Sequence, residues 1–125
     1  MKYFFCMIIL WCLVGSIKFF VFSLKNRKIS LSGNGYGGMP SNHSAIMSWI
    51  TTVIYINEGH NSPVLGLSLC VSFLIMMDAN GLRRKIDECS NNKSKRKASH
   101  TIPEIIVGIA IGISFAFLTH KFMSI

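Results

Sequence analysis

The chain has 125 residues, half of them hydrophobic, with 13 Lys and Arg against 5 Asp and Glu and a net charge of +8. That length allows one small domain, 1–125, and excludes a Rossmann domain or a large soluble enzyme. A basic surplus often marks nucleic-acid binding, but a soluble module this short has no interior for so much Phe, Ile, Leu, Val and Met. A membrane protein is expected, with no nucleic-acid partner.

The apolar runs set the architecture. Tyr3 to Leu24 contains one charge, Lys18, and is long enough to cross a bilayer core as a helix, expected over 3–24. A secretory signal peptide is the rival reading. The run is too long for a signal core, lacks a clear small-residue cleavage pattern and ends in Lys25-Asn26-Arg27-Lys28, so it reads as a retained helix. Residues 25–40 then form a connection, basic at first and glycine-rich later. A second helix is expected over 41–59, around the apolar run Ala45 to Ile56, and 57–62 is a tight polar turn.

The third helix, 63–80, begins with a proline suited to a first turn and ends at the turn signal Asn80-Gly81. Residues 81–101 read as a hydrophilic, basic loop, with a low-complexity stretch from Asn91 to Lys97. The fourth helix, 102–120, carries small residues four apart, Gly108, Gly112 and Ala116, a spacing that lets backbones approach closely in lipid. The expected fold is an all-α integral membrane bundle of four transmembrane helices. So thin a bundle, with polar groups to bury, invites a homo-oligomer.

Lys25, Arg27, Lys28, Arg83, Arg84, Lys85, Lys93, Lys95, Arg96 and Lys97 place ten of the thirteen basic residues on one side. By the positive-inside rule that side is cytoplasmic and both termini lie outside, in the cell (inner) membrane. The four cysteines, Cys6, Cys12, Cys70 and Cys89, have no Cys-x-x-Cys spacing and read as buried apolar residues, with no zinc site or disulfide framework.

Chemistry concentrates in Gly37-Gly38-Met39-Pro40-Ser41-Asn42-His43-Ser44-Ala45. A glycine-rich turn leading into a helix start presents unpaired backbone N–H groups to an anion. Ser41 is placed to cap that helix, with His43 in its first turn. Taken alone, capping explains Ser41, a flexible linker explains the glycines, and an interfacial histidine needs no catalytic role. A second histidine in a matching position, His100, alters the balance, because it too stands just before a membrane helix on the same face.

These segments resemble the type 2 phosphatidic acid phosphatase superfamily, which includes the vanadium-dependent haloperoxidases. Gly37 to Ala45 looks like its Pro-Ser-x-His motif, and His100-Thr101-Ile102-Pro103-Glu104-Ile105-Ile106-Val107-Gly108 looks like its last motif. The likeness is greatest to the short, divergent branch described as acid phosphatase/vanadium-dependent haloperoxidase-related. That branch shows a lysine late in the first helix, as Lys18 is, and an aspartate before Gly-x-Arg-Arg, as in Asp78 to Arg84.

The resemblance implies a phosphohistidine mechanism on a lipid phosphate or pyrophosphate, without cofactor or metal. Carried over by position, His100 is the nucleophile, Glu104 its orienting acid and His43 the general acid. Lys18, Lys25, Arg27, Arg83, Arg84 and Ser41 are the phosphate-binding candidates, with Asp78 and Gly38 in support. Arginine's planar fork favours the Arg83/Arg84 pair, which should meet both histidines at one phosphate-sized pocket. The chain departs from the superfamily in three places. Ser94, flanked by Lys93, Lys95 and Arg96, stands where an arginine is usual; Lys25, seven residues after Lys18, is followed by Asn26 and not by the Arg-Pro ending; Glu104 replaces an aspartate.

Each residue also has a plainer reading. Thr101 to Glu104 fits a capping box, with Glu104 reaching back to the Thr101 N–H. The basic residues fit topology signals or contacts for anionic lipid heads, and Lys18 fits a snorkelling side chain. Asp78 fits an acid at the membrane interface. The alternative function is therefore a non-catalytic membrane protein of the same fold that binds anionic head groups or assembles with a partner.

Overall fold

A computed structural model describes residues 1–26, 39–89 and 100–123, so Arg27 and Gly38 lie outside the described residues, as do the side chains of Lys25 and Arg83. Every regular element among the described residues is helical: α1 Lys2–Asn26, α2 Asn42–Glu58, α3 Pro63–Met77, α4 Arg83–Cys89 and α5 Ile102–Met123. Among the described residues three stretches are long and apolar enough to cross a membrane, Lys2–Leu24, Pro63–Ile86 and Ile102–Phe122. Large apolar side chains such as Phe5, Phe20, Phe73, Leu74, Ile106 and Phe117 stand exposed along them. Water would penalise such a surface, whereas lipid tails solvate it, so the all-α membrane bundle stands.

α2 is the hub. Its 17 residues span about 25 Å, and it packs most extensively on α5, then on α3, and more sparingly on α1. Ser41 caps it, accepting from the Ser44 N–H at 3.4 Å, and Gly59 ends it at φ 79°, donating its N–H to Tyr55 O at 2.9 Å. Only glycine takes that backbone conformation without strain. Four residues later Pro63 opens α3, with Ser62 Oγ accepting from the Val64 N–H at 3.2 Å.

α2 and α5 run in parallel, in register, along a seam of small residues. A Cβ on Gly108 would lie 2.6 Å from Ser41 O, and one on Gly112 would overlap Ser48 Oγ and Ala45 O. The seam carries its own hydrogen bonds: Ser48 Oγ donates to Ala45 O and Ile109 O at 3.1 and 3.2 Å, and Trp49 Nε1 donates to Thr119 Oγ1 at 3.2 Å. Against α3, Thr51 Oγ1 pairs with Ser68 Oγ at 2.6 Å and Ser72 Oγ at 3.1 Å. Such interhelical bonds contribute about 0.6 kcal/mol each in lipid. Leu10 and Val14 of α1 complete the core around Ala45, Trp49, Val53 and Ala116.

Two expectations change. The chain does not become a loop at Gly81: Asp78–Leu82 form a π-helical turn that carries α3 onward into α4. Gly81 lies in open space, so it weakens the helix without breaking it, and an Arg84–Glu88 pair one turn apart supports α4. The cysteines differ too. Cys12, Cys70 and Cys89 are exposed and Cys6 is half-buried; at Cys12 and Cys70, within the apolar helices, an outward thiol in lipid carries no desolvation cost.

Candidate functional site

The start of α2, the start of α5 and the π-turn meet at one end of the bundle. Backbone bonds fix the junction: Ser41 N–H donates to Glu104 O at 3.2 Å, and His100 N–H donates to Ala79 O at 3.0 Å. The first ties the two parallel helices together, and the second ties α5 to the end of α3. Asp78, next to Ala79, thus stands one residue from the carbonyl that holds His100.

His100 is 2% exposed, and its ring lies edge-on to that of His43 with centroids 6.3 Å apart. His100 Nδ1 is 3.3 Å from Glu104 Oε2, which also accepts the Thr101 N–H at 3.0 Å. An ionised carboxylate only accepts, so Nδ1 carries the proton and Nε2 keeps the lone pair. Nε2 is buried and has no hydrogen-bond partner among the described residues. One carboxylate oxygen thus both caps the start of α5 and holds the His100 ring.

Lys18 comes to this cluster from α1, half-buried and near enough for its charge to act on Glu104 and His100. The positive ends of α2 and α5 point into the same place, so the site favours an anion. Burial pushes the His100 ring below its ordinary value of 6.5; the Glu104 hydrogen bond and charge oppose this, and Lys18 and His43 add to it. The ring is therefore neutral at pH 7. An NMR titration should give a His100 midpoint below pH 6.5, and Glu104→Gln, by removing the opposing charge, should move it lower still.

The other candidates fall into two groups. Ser41 is fully buried and its Oγ accepts from both Ser44 N and Ser44 Oγ, at 3.4 and 3.1 Å, which leaves its own proton to donate. Arg84 is not gathered at the histidines. It is exposed on α4 and its Nε pairs with Glu88 at 3.0 Å. Sequence reasoning gave no role to Asn42 or Gly15. With Trp11, Ser16, Lys18 and His43 they line a cavity of about 650 Å³ between α1 and α2. The signal for Gly15 was present, a glycine in the middle of an apolar helix, but its meaning depends on which face α1 turns toward α2.

A helical membrane protein with two histidines facing each other where helix starts converge is the class that this fold and cluster define. More narrowly, the chain belongs to the Divergent PAP2 family, whose profile matches residues 1–115. It is similar to the uncharacterized membrane protein YuiD of Bacillus subtilis (strain 168), at 36% identity over 52 residues, which are 42% of this chain and 33% of that protein. The match therefore spans about a third of that relative's length. No solved structure matches the chain.

Proposed function

We propose that the protein is a membrane phosphatase or phosphotransferase that acts on a lipid phosphate or pyrophosphate through a phosphohistidine intermediate, at the cytoplasmic face of the cell (inner) membrane. The observation that carries this reading is the buried Nε2 of His100, without a hydrogen-bond partner among the described residues, on a ring whose other nitrogen Glu104 holds. A neutral, oriented imidazole is what attack at phosphorus needs.

In the proposed reaction Nε2 forms a bond to phosphorus as the bond from phosphorus to the lipid oxygen breaks. His43 gives its proton to that oxygen, and the lipid leaves as the alcohol or the shortened phosphate. Water, or an acceptor hydroxyl, then attacks phosphorus with His43 taking its proton, and the phosphoryl group leaves His100. Lys18 and the two helix starts offset the negative charge on the phosphoryl oxygens. The ion pairing of Arg84 with Glu88 favours the second reading, a head-group binder without turnover, because the arginine fork is not at the histidines.

Phosphate release from a panel of lipid phosphates in mixed micelles tests the proposal. His43→Ala should lose about 10²- to 10⁴-fold in kcat/KM, which reports the first step alone, with alkyl leaving groups and much less with an acidic leaving group such as p-nitrophenol, which departs unprotonated. Equal losses with both would remove His43 from the role of general acid, and no release by any form would favour the head-group binder.

A further inference from the structure

The cavity between α1 and α2 joins two kinds of wall. Lys18, Asn42 and His43 form its polar end, and Trp11, Gly15, Phe19 and Ile46 belong to its apolar part. At about 650 Å³ it is of the size that holds a small organic ligand, and two of the residues that line it, Trp11 and Phe20, stand 57% and 66% exposed. Trp11 lies two turns from Lys18, about 10 Å along α1, which is most of the ~15 Å that the chains of one leaflet occupy. Asn42 Oδ1 is buried without a hydrogen-bond partner among the described residues, an acceptor left for a hydroxyl-bearing head group. Among the described residues nothing lies within 4 Å of where a Gly15 Cβ would be, so the missing side chain serves no contact with the described helices and leaves the groove open.

We infer that this cavity is a lateral chain groove: a lipid phosphate enters from the bilayer between α1 and α2, seats one hydrocarbon chain against Gly15 and Trp11, and so delivers its phosphate to Lys18, His43 and His100. Gly15 then sets chain selectivity, since any larger side chain there fills the path. The choice of a phosphate-bearing lipid rests on the proposed function; the groove itself rests on the cavity and its two-ended lining.

The test uses the full chain and its Gly15→Leu form in phosphatidylcholine vesicles containing phosphatidic acid with a diazirine midway along one chain. After photolysis, wild-type label on the peptide spanning α1 should be competed by unlabelled phosphatidic acid and not by added phosphatidylcholine. Gly15→Leu should lose most of that label. In turnover, Gly15→Leu should raise KM for long-chain phosphatidic acid about tenfold more than it raises KM for p-nitrophenyl phosphate, the steric conflict being of ordinary overpacking size. Label equal in both forms, or competed equally by both lipids, overturns the groove even if phosphate is released. The expected labelling in a protein that turns over no substrate upholds the groove and overturns the phosphatase.

Discussion

Replacing His100 with alanine is expected to lower kcat/KM for lipid phosphate by at least about 10³-fold while the protein still folds. The substitution removes Nε2, the nitrogen of that ring without a hydrogen-bond partner among the described residues, and with it the atom that bonds to phosphorus in the proposed reaction. What holds the start of α5 survives. The His100 N–H to Ala79 O bond and the Thr101 N–H to Glu104 Oε2 bond are made by backbone donors that alanine retains or leaves untouched. The loss therefore falls on kcat, with the helical circular dichroism close to wild type and the thermal midpoint lowered only by the cavity the ring leaves. A variant that keeps half or more of the activity removes the nucleophile from the mechanism.

Replacing Gly112 with leucine is expected to cost more than about 3 kcal/mol of stability, the upper end for overpacking, because the new side chain meets backbone. A Cβ there overlaps Ala45 O and Ser48 Oγ and falls 2.9 Å from Trp49 N, so α5 has to move off α2 as a whole. That shift also separates His43 on α2 from His100 at the start of α5, so activity goes with stability. Gly66→Ala is the matched control: nothing lies within 4 Å of its Cβ position, and helix propensity makes it neutral or slightly stabilising. Denaturation in detergent with increasing dodecyl sulfate reads both. A Gly112→Leu protein as resistant as wild type contradicts the close-packed seam.

The seam was legible in the residues because glycines four apart have one common use in lipid, and so was the cap at Ser41, which needs only the short polar side chain before an apolar run. The end of α3 was not. Asn80-Gly81 signals a turn in water-exposed chain, yet here a widened π coil passes the glycine and the helix resumes, bringing Ala79 O to His100. Assuming a loop also hid the spacing of Arg84 and Glu88, which makes sense only on a helix. The two histidines and Glu104 were singled out by the likeness of their segments to family motifs, and the fold brings the three together. The same likeness named Lys18, but that Gly15 borders a cavity beside it depends on the rotation of α1 against α2, which Leu10 and Val14 fix by packing and no local pattern reveals.

The central claim is covalent, and trapping tests it most directly. Protein turning over a lipid phosphate labelled with ³²P is quenched in alkali, where a phosphohistidine persists, and digested. The account predicts label on the peptide that holds His100, lost on acid treatment and absent from the His100→Ala form. Steady release of phosphate with no acid-labile label on that peptide contradicts it.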